Sequence, residues 1–147
     1  MPPVLIETDI LLALISAGDK HHADAIRLLD EALGDVKISP YSLIELDLLL
    51  KSKEIIVRDI PTFYGALGDL FKYRGIGTFP TKPEHHREAF KLREEYGSLT
   101  YFDSLHAAVG IVEGVELVSY DRGYAKVAEL RYSHPGGYTR SVGNGGN

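Results

Sequence analysis

Three short apolar runs constrain this chain more than any other feature: Val4-Leu5-Ile6, Val36-Lys37-Ile38 and Val115-Glu116-Leu117-Val118-Ser119. Each is too short for a helix and rich in Val and Ile, and the segments between them carry apolar residues at helical spacing. Strands separated by helices are not joined by hairpins. They run parallel through right-handed crossovers and are covered by helices on both faces. The pattern therefore predicts an α/β protein, a three-layer α/β/α sandwich around a central, mainly parallel sheet.

Helices are expected over residues 10–15, 21–33, 40–52, 61–73, 83–96, 100–113 and 121–128, with a very short edge strand over 78–80. Ser39 is placed to cap the third of these, with Pro40 at its first position. Leu43, Leu46, Leu49 and Leu50 of that helix are expected to face inward. Thr100 is placed to cap another, with Asp103 in capping-box position. The length, 147 residues, suits one domain, with 44% apolar and 25% charged residues. Residues 1–132 are expected to form it. Residues 133–147, rich in Gly at the end, are expected to be a flexible tail, with Arg131, Tyr132, Tyr138, Thr139 and Arg140 available either for a last edge strand or for touching a ligand, neither being favoured.

The chain has no cysteine, so any bound metal must be held by oxygen or imidazole. The first apolar stretch is broken by Glu7 and Asp9 and is far short of a membrane span, so no membrane association and a cytoplasmic location are expected. A net charge of −5 argues against nucleic-acid binding by bulk positive charge. It does not argue against a nuclease, whose carboxylates are committed to a cation.

The carboxylates sit at informative places. In an open α/β sheet, ligands bind beyond the carboxyl ends of the strands. Glu7 and Asp9 follow the first strand, Asp121 follows Ser119, Glu45 lies early in the helix after Ile38, and Asp103 lies in the first turn of the helix before Val115. Each has a plainer reading: Asp9 and Asp121 as helix caps, Asp103 as the partner of Thr100. Glu45 is different, because it lies within Leu43-Ile44-Glu45-Leu46, where a buried carboxylate needs a metal or a basic partner. His21, His22, His85 and His86 read as surface or helix-start residues. His106, one turn beyond Asp103, reads as a satisfied core histidine or as a group that orients a carboxylate.

In order, these motifs resemble those of PIN-domain ribonucleases, and in size those of VapC toxins from prokaryotic toxin–antitoxin pairs. The family's strand ending in Asp-Thr-Asn corresponds to Glu7-Thr8-Asp9-Ile10-Leu11. Its Ser or Thr before a helix bearing Glu corresponds to Ser39 through Glu45, its helical Asp before small residues to Asp103-Ser104-Leu105-His106-Ala107-Ala108, and its last motif to Ser119-Tyr120-Asp121. The resemblance implies a metal-dependent endoribonuclease, with Glu7, Glu45, Asp103 and Asp121 catalytic. It implies Mg²⁺ or Mn²⁺ held by these residues and Asp9, with Thr8, Ser119 and His106 in support. It further implies an RNA substrate, products with 5′-phosphate and 3′-hydroxyl ends, a homodimer and a cognate antitoxin.

The chain departs from the family at its first motif, with Glu7 in place of Asp and Asp9 in place of Asn. Either Glu7 reaches the same ion, or Asp9 replaces it, or the site is weak. The alternatives are a PIN nuclease of RNA processing and a noncatalytic PIN-like scaffold. More remote are a phosphatase, for which the leading nucleophilic Asp is missing, and a phosphoacceptor domain, which leaves Glu45 unexplained.

Overall fold

In the computed structural model the described residues are 2–32 and 34–137. Strands β1 (Val4–Ile6), β2 (Val36–Ile38), β3 (Gly77–Thr78), β4 (Leu117–Val118) and β5 (Tyr132–Ser133) form one sheet in the order β3-β2-β1-β4-β5. Every pairing is parallel. The helices are α1 (Thr8–Ile15), α2 (His22–Arg27), α3 (Ser42–Lys51), α4 (Ile60–Arg74), α5 (Pro83–Glu95) and α6 (Tyr101–Glu113). A π-helical turn, Leu28–Ala32, continues α2, and a 3₁₀ turn, Arg122–Lys126, follows β4. This is the predicted α/β/α sandwich, with its sheet parallel throughout.

The layers follow from alternation along the strands. In β1, Val4 and Ile6 pack with Ile10, Leu11, Leu28, Leu46 and Leu67 beneath α1 to α4. Leu5, pointing the other way, packs with Leu92, Leu105, Ala108 and Leu117 beneath α5 and α6. β4 repeats the division, Val118 going to the first cluster and Leu117 to the second. β1 and β4 are thus both shared between the cores, and all three residues of β1 are buried.

Several local expectations change. The helix starting near Pro40 begins at Ser42, and its N-cap position is held by Tyr41 without a side-chain cap bond; the Ser39 hydroxyl is turned to another use, described below. Leu46 and Leu50 are buried, but Leu43 is 41% exposed and lies with Ile44 and Leu48 on an open apolar face of α3. The strand after residue 114 is shorter than expected because Gly114, at φ 69°, closes α6 and Val115 spends its N–H on Gly110 O. Tyr138, Thr139 and Arg140, with the rest of 138–147, lie outside the described residues. Tyr132 does enter a last strand, β5.

Of the paired histidines, read as surface or helix-start residues, His85 does lie in the first turn of α5 but is completely buried. Its Nδ1 lies 2.9 Å from the Tyr41 hydroxyl and its Nε2 2.9 Å from Glu113 Oε2. Lys82 also reaches Glu113. This clasp ties the α5–α6 pair to the segment leading into α3, where Ser39 and Tyr41 sit.

Core and open surface make unequal demands on their residues. Leu5→Ala is expected to destabilise the chain by about 2–5 kcal/mol, whereas Ile44→Ala on the open face of α3 is expected to change stability by about 0.5 kcal/mol or less. Urea denaturation of the two variants measures the contrast.

Candidate metal centre

The register of the three inner strands creates the site. Ile6 of β1 is level with Ile38 of β2 and with Val118 of β4, so the residues that follow, Glu7, Ser39 and Ser119, emerge side by side at the carboxyl edge. All three are buried, Glu7 at 5% exposure and the two serines at 0%. Glu7 also serves as N-cap of α1, its Oε1 accepting from the Asp9 N–H at 3.0 Å. Such a cap ordinarily lies at the surface. This one lies beneath it.

Glu45, from the first turn of α3, and His106, from α6, close on the same point. Glu7, Glu45 and His106 each present a ligand atom within 4.8 Å of the others. Glu45 Oε1 accepts from Thr8 Oγ1 at 2.5 Å and lies 2.8 Å from His106 Nε2. The other ring nitrogen, Nδ1, is 2.7 Å from Ser39 Oγ. The serine after β2 thus sets the ring that meets Glu45. The basic partner that an acid in an apolar helix demands is His106, assisted by Thr8.

Two hydroxyl groups join the remaining carboxylates. Tyr124, from the 3₁₀ turn, is buried, with its hydroxyl 3.1 Å from Glu7 Oε2 and 3.2 Å from Asp103 Oδ1. Ser119 Oγ lies 3.1 Å from Glu7 Oε2 and 2.9 Å from Asp9 Oδ2. Asp9 Oδ2 also accepts from the Tyr120 N–H at 2.7 Å. Asp9, Glu7 and Asp103 are therefore linked in sequence through Ser119 and Tyr124.

Crowding shows in the proton affinities. Burial raises the pKa of Glu7, and the charges of Glu45 and Asp103 add to this, against His106 and the Asp9 N–H. Burial, with the Glu7 charge, pushes Asp9 up to about 8. Burial also acts to raise Glu45, but hydrogen bonds from His106 and Thr8 outweigh it and hold that carboxylate below its usual range. His106 feels the opposite balance: burial disfavours its charged form, yet the Glu45 hydrogen bond and the charges of Glu7, Glu45 and Asp103 raise its pKa. Buried, mutually repelling carboxylate oxygens beside an imidazole make a donor set that fits a divalent cation.

The predicted residues do not all take the expected place. Glu7, Glu45 and His106 come together, and Asp103 joins through Tyr124. Asp9 stands beside Glu7 but turns its oxygens to Ser119, Tyr120 and the Ile10 N–H. Asp121 is exposed and outside the close group. Its Oδ1 caps the 3₁₀ turn, accepting from the Gly123 N–H at 2.8 Å. Asp103 forms half a capping box: its N–H bonds Thr100 Oγ1 at 3.2 Å, while its carboxylate faces Tyr124. In sequence Ser39 reads as a helix cap and as the motif's post-strand Ser, with nothing to foretell its contact with His106. Tyr124 escaped the sequence reading, carrying no signal beyond its nearness to Asp121.

The PIN domain family model matches residues 4–130. Among solved structures, the chain is similar to VapC20 of Mycobacterium tuberculosis, described as a Sarcin-Ricin loop cleaving toxin, at 19% identity, TM-score 0.68, and coverage of 87% of this chain and 98% of that one. VapBC2 of Rickettsia felis, solved with a DNA fragment from its promoter, matches at 18% identity and TM-score 0.66, covering 89% and 97%. PAE2754 of Pyrobaculum aerophilum matches at 19% identity and TM-score 0.63, covering 97% and 96%. At these identities the structural likeness speaks to the fold. The comparison with curated proteins returns no match.

Glu7, Asp9 and His106 all bind a proton more tightly in the folded chain than in the unfolded one, so the stability they contribute is full at low pH and lost as pH rises. For Asp9 the window runs from 3.8 to about 8. Glu45, with its lowered value, acts in the opposite sense only below its ordinary 4.5. In chelator, the melting temperature should therefore fall between about pH 6 and about pH 8, and Mn²⁺ should restore more of it at the higher pH. A melting temperature that rises over that range contradicts this account.

Proposed function

The chain belongs to the PIN domain family, and from that membership we propose that it is a divalent-metal-dependent endoribonuclease acting as the VapC-type toxin of a toxin–antitoxin pair. The observation that carries the proposal is the meeting of Glu7, Glu45 and His106 beside Asp103 at the carboxyl edge of the sheet. The toxin–antitoxin neighbours, including one from Klebsiella pneumoniae, support the cellular role.

Glu7, Glu45 and Asp103 would hold Mg²⁺ or Mn²⁺, with His106 orienting Glu45 or contributing its nitrogen. When bound, the ion lowers the pKa of a water and offsets phosphate charge. Asp103, half-buried where Glu7 is enclosed, is the carboxylate more accessible to an attacking water and takes its proton. Thr8 and His106 keep Glu45 ionised and aligned. Asp121 acts from the rim, toward the RNA or a water, and Asp9 acts through Ser119 on Glu7. The water oxygen bonds to phosphorus, the P–O3′ bond breaks and the 3′-oxygen takes up a proton from solvent, leaving 5′-phosphate and 3′-hydroxyl ends.

We place this unit within residues 1–133, one residue beyond the expected boundary because Ser133 pairs with Val118 in the sheet, and the protein in the cytoplasm. Among the described residues no helix is long and apolar enough to cross a membrane. The apolar face of α3, with Leu43, Ile44 and Leu48 exposed, favours the homodimer and antitoxin contacts that accompany the toxin reading.

Purified chain should cleave RNA in Mg²⁺ or Mn²⁺ and not in chelator. Asp103→Asn should reduce cleavage by about a hundredfold or more, since even groups that only support a ligand cost about 10–100-fold, and Asp121→Asn should cost less. Undiminished cleavage by a clean Asp103→Asn preparation would sink the site assignment.

A further inference from the structure

We propose that the Tyr124 hydroxyl is a positioning group that holds Glu7 and Asp103 at the spacing one divalent cation requires, and so makes the longer Glu7 side chain a working ligand. This rests on the metal-centre reading and goes beyond it, because Tyr124 itself touches neither substrate nor ion.

The geometry is specific. Glu7 arrives from the end of β1 and Asp103 from the first turn of α6, and no backbone pairing joins these two places. Tyr124 bridges them, with 3.1 Å to Glu7 Oε2 and 3.2 Å to Asp103 Oδ1. Its ring is 1% exposed and packed among Leu5, Leu105, Leu117 and Val127, so the hydroxyl is delivered by a rigid body. A phenol has one proton to donate. It donates to one carboxylate at a time, and because both oxygens lie within 3.2 Å of the same buried hydroxyl, each is held within its reach and so beside the other.

Ser119 does not duplicate this role. Its hydroxyl is nearer to Asp9 Oδ2, at 2.9 Å, than to Glu7 Oε2, at 3.1 Å. When it donates to Asp9, the hydroxyl that remains for Glu7 Oε2 is that of Tyr124. Glu7 Oε1 is meanwhile occupied by the Asp9 N–H. An Asp at position 7 would be shorter by one methylene and would withdraw from the phenol; the Glu–Tyr pair is a matched unit.

The test is Mn²⁺ binding to the full metal-stripped chain by isothermal titration calorimetry, with thermal melts as a folding control. Tyr124→Phe keeps the ring and removes only the hydroxyl, and should weaken Mn²⁺ binding about tenfold. Glu7→Gln should weaken it more, and the double variant should lose clearly less than the two single losses combined, because the phenol acts by holding Glu7 beside Asp103. Glu7→Asp, which retains a carboxylate, should also bind more weakly than the wild type and decides the matter if Tyr124→Phe fails to fold. Unchanged binding by Tyr124→Phe, a full second loss in the double variant, or equal or tighter binding by Glu7→Asp overturns the proposal. Failure of the wild-type chain to bind Mn²⁺ removes the metal-centre reading itself, and is told apart from those results by occurring before any substitution.

Discussion

The structure depends on the register of β1 between its two parallel neighbours. Because Ile6 is level with both Ile38 and Val118, three strands end together, and Glu7, Ser39 and Ser119 stand in a row. A slip of one residue would exchange the faces of β1, sending Leu5 to the core of Val4 and Ile6 and turning Glu7 away from Glu45. The apolar alternation that closes the two cores is thus the same restraint that aims the first carboxylate.

A cluster of buried acids is costly unless donors or cations answer it. Here the answer comes in two layers. Thr8 and His106 serve Glu45 directly, while Ser119 and Tyr124 each divide one hydroxyl between two carboxylates. The second layer is economical but incomplete, which leaves Glu7 and Asp9 with raised proton affinity. A site fully satisfied by its own protein would have little attraction for a metal ion.

Fold and site were legible to different depths. The strands were readable because a buried parallel strand has no polar face to disguise it, and Glu45 was readable because an acid amid Leu and Ile needs a reason. The inward face of α3 was misread at Leu43, since an apolar residue at helical spacing looks the same on a core face as on an open one. The burial of His85, placed rightly near a helix start, was hidden for the converse reason: its partners, Tyr41 and Glu113, lie 44 and 28 residues away, and only folding brings them to it. Tyr124 and the orientation of Ser39 were hidden likewise, because a hydrogen bond spanning 117 or 67 positions leaves no local trace. Asp121 matched its motif in position, yet its carboxylate follows the local demand of the turn it caps.

Among the described residues the sheet ends on both sides in strands of two residues, β3 and β5. So short an edge offers few unpaired backbone groups with which to recruit a strand from another chain. At those two edges, contact with another molecule falls to side chains of the flanking helices and loops, which the sheet holds in place without itself being open to extension there.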